Sequence, residues 1–138
     1  MALVLDTGVL YGALDESDPD HAACAALVEE TPEQLLIPVL VLGELDYWVR
    51  KFASADAWLT FCQDIREGAY TIYQLDSQLL LAAAQVEARF ADLGVGLVDA
   101  SVVVTCESIG ETRVATLDRR HFSVLRTSDG KALDILPA

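Results

Sequence analysis

At 138 residues the chain is long enough to bury one full hydrophobic core and too short for two domains of ordinary size, so one domain over residues 1–138 is expected. Apolar residues make up 53% of it and mean hydropathy is positive, which excludes a disordered chain, yet no unbroken apolar segment approaches the roughly 18–20 residues of a membrane-crossing helix. The net charge of −13 excludes broad electrostatic binding of nucleic acid, because release of counterions from phosphates requires lysine and arginine.

The first strand is expected at Ala2–Leu5, a wholly apolar run suited to burial on both faces of a parallel sheet. It ends on Asp6, at the strand end where α/β sheets bind ligands. This apolar start has no basic flank and is interrupted by Asp6, so it does not read as a signal peptide. Thr7–Leu14 reads as a short helix capped by Asp6 or Thr7. Asp18-Pro19 then supplies an N-cap and a first-position proline for a helix through about Glu30. Gln34–Ile37 is a second strand, and Pro38 opens an apolar helix to about Phe52. Ser54 caps the next helix and Gly68 ends it. Ala69–Leu75 reads as a third strand. Asp76 caps a long helix that Gly94 stops. Leu97–Ile109 is ambiguous: Val102-Val103-Val104-Thr105 favours a strand, while length and Gly110 favour a helix. Arg113–Leu117 reads as a strand, Asp118–Phe122 as a turn and Leu133–Leu136 as the last strand. Strands alternating with helices indicate an α/β fold with a mainly parallel sheet.

Cys24, Cys62 and Cys106 are odd in number and lack any Cys-x-x-Cys pairing, as expected of small core residues in a reducing compartment, so a cytoplasmic location is expected. Five of the nine basic residues, Arg113, Arg119, Arg120, Arg126 and Lys131, fall in the last quarter and offer one basic edge.

Four carboxylates stand out. Around Glu44 the helical neighbours are Leu40, Val41, Tyr47 and Trp48, which places it within an apolar stripe; the competing reading puts it at the stripe's edge, reaching water. Asp46, with Arg50 at i+4, is an ordinary surface pair. Asp99 lies between Leu97-Val98 and Val102–Val104 and, taken alone, reads as an N-cap. Asp118 follows a strand and, taken alone, reads as a turn residue. With Asp6, however, each lies at a strand end or in a segment following a strand, and right-handed crossovers bring such segments to one sheet edge. Carboxylates crowded there repel one another and call for a cation. Mg²⁺ or Mn²⁺ suits an oxygen-donor set, and the lack of a His or Cys ligand set argues against zinc.

The segments Leu5-Asp-Thr-Gly8, Glu44 after the second strand, Val98-Asp-Ala100 and Thr116-Leu-Asp-Arg-Arg-His-Phe122 resemble, in order and spacing, the PIN-domain family and specifically the toxin ribonucleases of bacterial VapBC toxin-antitoxin modules. The resemblance spans essentially the whole chain. It implies a three-layer α/β/α fold, a helix over Leu97–Ile109, and an acidic metal site formed by Asp6, Glu44, Asp99 and Asp118. Many members carry serine where this chain has Gly8, so Thr7 and Ser101 remain as hydroxyls able to support the site. The implied activity is Mg²⁺- or Mn²⁺-dependent hydrolysis of RNA phosphodiesters, with Arg119 and Arg120 as phosphate contacts. A cognate antitoxin and a homodimer are implied as well.

The acidic body points to narrow, shape-dependent recognition of a structured RNA, with tRNA or rRNA expected from the family. His121 reads as a structural hydrogen-bonding residue, with general acid as its competing role. Tyr47, Trp48, Trp58 and Phe61 read mostly as core. The alternative is a non-catalytic, cation-binding regulatory or protein-interaction domain. Against it, the acidic pair and late lysine of receiver domains are absent. A haloacid-dehalogenase-type phosphatase would need Asp-x-Asp at Asp6-Thr7-Gly8.

Overall fold

The computed structural model describes residues 1–138. Its sheet has five parallel strands: β1 (Ala2–Leu5), β2 (Gln34–Pro38), β3 (Thr71–Tyr73), β4 (Arg113–Ala115) and β5 (Asp134–Leu136), in the order β3-β2-β1-β4-β5. All four residues of β1 are buried, as an apolar run must be when both faces are covered. Val4 pairs with Leu36 of β2 on one side and Val114 of β4 on the other. Seven helices cover the sheet in a three-layer α/β/α arrangement: α1 (Thr7–Leu14), α2 (His21–Glu30), α3 (Val39–Phe52), α4 (Ala55–Arg66), α5 (Ser77–Arg89), α6 (Leu97–Ile109) and α7 (Arg119–Phe122). No helix is long and apolar enough to cross a membrane.

The strand order places the site. The chain steps outward from β1 to β2 and β3, then returns to the other side of β1 with β4 and β5. The reversal lies between β1 and β4, and crevices at the carboxyl ends of such strands are where α/β sheets hold ligands. Asp6 follows β1, and Asp118 follows β4 by three residues.

The resemblance's helix over Leu97–Ile109 is present as α6. Every residue from Ala100 to Cys106 is buried in it, so apolar surface removed from water, about 1.5–3 kcal/mol per large side chain, outweighs the few tenths that each β-branched residue loses in a helix. Its hydroxyls are satisfied within the helix, Ser101 Oγ donating to Val98 O at 2.6 Å and Thr105 Oγ1 to Ser101 O at 2.7 Å. Gly110 ends it at φ +69°, a conformation that only glycine adopts without strain.

Several boundaries differ from expectation. Asp18-Pro19 forms a turn, with Asp18 Oδ1 accepting from Asp20 N at 2.8 Å, so α2 starts at His21 instead of Pro19. The third strand shortens to Thr71–Tyr73, because β3 is an edge that pairs with β2 alone. The helix expected to run to Gly94 ends at Arg89 and is followed by one 3₁₀ turn, Ala91–Leu93. The expected turn at Asp118–Phe122 is the one-turn helix α7, anchored by the fully buried Phe122. The caps at Ser54 and Asp76 form as read, accepting from Ala57 N at 3.0 Å and Leu79 N at 2.8 Å.

Candidate active site

Asp6 is held on both oxygens. Its Oδ1 accepts from Thr7 N and its Oδ2 from Thr116 Oγ1, each at 2.8 Å, and its backbone N–H extends the β1–β4 ladder to Ala115 O. The side chain is buried, at 6% exposure. Burial pushes its carboxyl up to about 6, against the two hydrogen bonds, and the charges of Asp99 and Glu44 push the same way.

Glu44 lies on α3. The buried stripe of that helix is Val41, Leu45 and Val49, so Glu44 sits on the stripe's flank and not within it. Tyr47, 55% exposed, is outside the core altogether. Asp99 is in the first turn of α6, but Gly96 occupies the N-cap position, so Asp99 does not cap the helix as its position alone suggested. Its Oδ2 lies 3.0 Å from His121 Nδ1. Burial raises the Asp99 carboxyl, the His121 contact opposes this, and Asp118 and Glu44 raise it further. Asp118 is the N-cap of α7: Oδ1 accepts from His121 N at 3.0 Å, while Oδ2 lies 3.1 Å from His121 Nδ1.

These four carboxylates line one cavity of about 340 Å³ together with Thr7, Gly8, Tyr11, Asp18, Trp48 and Leu117. Tyr11 and Trp48 form its aromatic wall, edge to face at 6.0 Å. A second cavity of about 490 Å³ adjoins it across Tyr11, Asp18 and Trp48 and extends to Phe52. Of the two supporting hydroxyls, Thr7 is at the cavity and Ser101 is not, because Ser101 is bonded into α6. A side chain at Gly8 would meet only Leu117, at 3.7–3.9 Å, so the missing serine is not a matter of space.

The expected basic edge is mostly committed internally. Arg113 pairs with Glu33 and Glu111, Arg119 donates to Pro137 O at 2.6 Å, Arg126 donates to Ser123 O and Leu125 O, and Lys131 lies 3.5 Å from Asp129. Arg120 is exposed and pairs with nothing.

Sequence reasoning gave too little weight to three residues. Asp18 was read as a helix cap, and only the fold brings it to the cavity. His121 follows Asp118 at i+3, a spacing that shares a helix face, but a turn reading hid it. Thr116 was read only as the first residue of the last motif, and its bond to Asp6 appears only in the fold.

The donor set suits a hard or borderline divalent cation. It is rich in carboxylate oxygen, its most buried carboxylate is disfavoured as an anion without a counter-charge, and the buried Thr7 hydroxyl beside it has no hydrogen-bond partner.

The PIN domain family model matches residues 3–126. The chain is 30% identical over 135 residues to Ribonuclease VapC26 of Mycobacterium tuberculosis, covering 98% of this chain and 100% of that protein. Among solved structures, M. tuberculosis VapC20, described as a Sarcin-Ricin loop cleaving toxin, aligns with TM-score 0.74 at 18% identity over 81% of this chain and 86% of that one. DNA-bound VapBC of Salmonella typhimurium aligns with TM-score 0.70 at 20% identity over 98% of both chains. VapBC2 of Rickettsia felis, bound to a promoter fragment, aligns with TM-score 0.69 at 16% identity over 98% of both.

Proposed function

The chain belongs to the PIN-domain family, with the VapC-type ribonuclease toxins, and on that premise we propose that residues 1–138 form one metal-dependent endoribonuclease domain that cuts structured RNA, tRNA or rRNA, as the toxin of a toxin-antitoxin pair. The observation that carries this reading is the convergence of Asp6, Glu44, Asp99 and Asp118 on one cavity at the β1–β4 switch point.

Those four residues would hold Mg²⁺ or Mn²⁺. The bound ion supplies a water of lowered pKa and offsets charge developing on the scissile phosphate. Thr116 and Thr7 N fix the Asp6 carboxylate in one orientation, so no reorganisation is needed when substrate arrives. Tyr11 and Trp48 wall one side of the cavity. Arg120, exposed, free of partners and two residues from Asp118 in sequence, would take a flanking phosphate, which positions RNA without reading its sequence. The body around it is acidic, at a net charge of −13, which disfavours unstructured RNA and leaves recognition to shape.

The same acidity favours an antitoxin that lays a basic segment over the cavity, and membership of the family implies a cytoplasmic complex whose toxin is a homodimer. The test is cleavage of a total RNA panel with Mg²⁺ or Mn²⁺ and with chelator, beside Asp6→Asn and Asp99→Asn. Metal-dependent cleavage lost by more than ~100-fold in both variants is expected, since loss of a ligand exceeds the 10–100-fold typical of supporting partners. Cleavage that survives both substitutions, or a folded, metal-loaded wild type inert towards every RNA, would leave the cation-binding regulatory role in its place.

A further inference from the structure

His121 stands in a relationship that a structural hydrogen bond does not account for. Its Nδ1 lies 3.0 Å from Asp99 Oδ2 and 3.1 Å from Asp118 Oδ2. An imidazole that carries its proton on Nδ1 donates well to one carboxylate and leaves the other, on a partly exposed side chain, facing the ring nitrogen without a good bond from it. With the proton on Nε2, three lone-pair-bearing atoms face one another with nothing between them. A cation among the three satisfies all of them at once. For ligand bonds of roughly 2.1 Å, neighbouring donors in an octahedral shell stand about 3 Å apart, which matches both separations.

The support is preorganised. Asp118 Oδ1 is already occupied by the backbone N–H of His121, which leaves Oδ2 turned to the imidazole on the same helical turn. Phe122, fully buried, pins that turn to the core. Independently, Thr7 lines the cavity that Asp99 and Asp118 share, and its hydroxyl is buried with no partner, which marks a polar occupant of that space.

We propose that His121 is a metal ligand: through Nδ1 it joins Asp99 and Asp118 in a three-donor site that takes a first-row transition-metal divalent cation in preference to Mg²⁺. The inference rests on the metal-dependent reading of the acids and adds the identity of the metal. Imidazole nitrogen is a good donor to transition-metal ions and a poor one to Mg²⁺, which keeps oxygen donors and its own waters. A site of carboxylates alone would not discriminate in this way. Asp99 and Asp118 are the shared residues, because both line the cavity with Asp6 and Glu44 and both face His121 Nδ1.

The experiment uses the whole chain stripped with chelator, titrated with Mn²⁺ and separately with Mg²⁺ by calorimetry, with bound Mn²⁺ examined by electron spin echo envelope modulation for coupling to a ligand nitrogen. The wild type is expected to show that coupling. In His121→Gln the coupling disappears, and Mn²⁺ affinity falls about 10- to 100-fold while Mg²⁺ affinity changes by less than about threefold. Bound Mn²⁺ without nitrogen coupling in the wild type overturns the proposal and leaves the carboxylate site standing; so does an equal loss of both metals in His121→Gln. Failure of the folded wild type to bind Mn²⁺ at all removes the metal reading itself and this inference with it. The wild-type spectrum decides the matter even if the variant misfolds.

Discussion

Thr116 donates its hydroxyl hydrogen to Asp6 Oδ2 at 2.8 Å, joining the end of β4 to the end of β1 across 110 positions of sequence. Thr116 Oγ1 in turn accepts the backbone N–H of Asp118 at 3.0 Å. One buried hydroxyl therefore fixes a carboxylate from one strand and the backbone that carries a second. Thr116→Val keeps shape and removes both bonds, leaving a buried carboxylate oxygen and a backbone N–H unpaired. A loss of about 1–3 kcal/mol in urea denaturation is expected, together with weaker metal binding by calorimetry. Thr116→Ser should restore most of both, and a Thr116→Val variant as stable as wild type would show that the bond does not hold the site.

Asp6 makes stability depend on pH in an uncommon direction. Its carboxyl sits at about 6 in the folded chain against 3.8 ordinarily, so between those values the folded state binds the proton that the unfolded state has released. The contribution is therefore complete below about pH 4 and is lost as pH rises through 6. A shift of about two units corresponds to on the order of 3 kcal/mol. With chelator present, wild type should lose stability relative to Asp6→Asn as pH goes from 4 to 7, measured by thermal unfolding at each pH. A pH-independent difference between the two would contradict this.

Metal should reverse that trend. An ion that binds only the folded chain stabilises it by mass action, about 2.7 kcal/mol at 100 times its dissociation constant. It also competes with the proton on Asp6. The rise in Tm on adding Mn²⁺ is expected to be large at pH 7 and small at pH 4.5, and an equal rise at both would place the ion away from Asp6.

Arg120 and Arg119 are adjacent but not equivalent. Arg120 pairs with nothing, so Arg120→Ala should leave stability within about 0.5 kcal/mol. It should weaken RNA binding roughly tenfold and lower the salt dependence by about one phosphate contact. Arg119→Ala removes the bond to Pro137 O, so its effect should appear in stability first. Salt titrations of RNA affinity with both variants separate the roles.

Phe122 carries the turn that presents Asp118 and His121. Phe122→Ala, at a fully buried position, should cost about 3–5 kcal/mol and Phe122→Leu about 1 kcal/mol. Metal affinity of the still-folded Phe122→Leu should fall as the turn loosens. Unchanged affinity would mean that α7 is held by its own hydrogen bonds.

Much of this architecture is legible in the residues. An apolar run as short as Ala2–Leu5 suits a strand covered on both faces, and Ser54 and Asp76 cap helices because their oxygens reach orphan N–H groups locally. Asp6 and Asp118 stood out because they end or closely follow β1 and β4, and Glu44 because it stands early in the helix after β2, whereas Asp99 follows α5 and a 3₁₀ turn and stood out only as a carboxylate among apolar residues. What stayed hidden is set by tertiary contacts. Glu44 was placed inside an apolar stripe because Tyr47 and Trp48 were counted as core, whereas Tyr47 faces solvent and Trp48 lines the cavity with Tyr11. The run Val102–Thr105 reads locally as a strand, and only burial along α6 makes it a helix. His121 was obscured because a turn reading gives no face to a side chain, whereas one turn of helix aligns it with Asp118.

The 110-residue span between Asp6 and Thr116 also has a meaning in time. During synthesis the first carboxylate leaves the ribosome early, but its fixing hydroxyl, Asp118 and His121 follow only after about four-fifths of the chain, and β4 must still insert beside β1 to bring them together. Domains fold as units and distant contacts close late. A chain made only as far as α6 thus carries Asp6, Glu44 and Asp99 but neither the hydroxyl that fixes the first of them nor the histidine that faces the last.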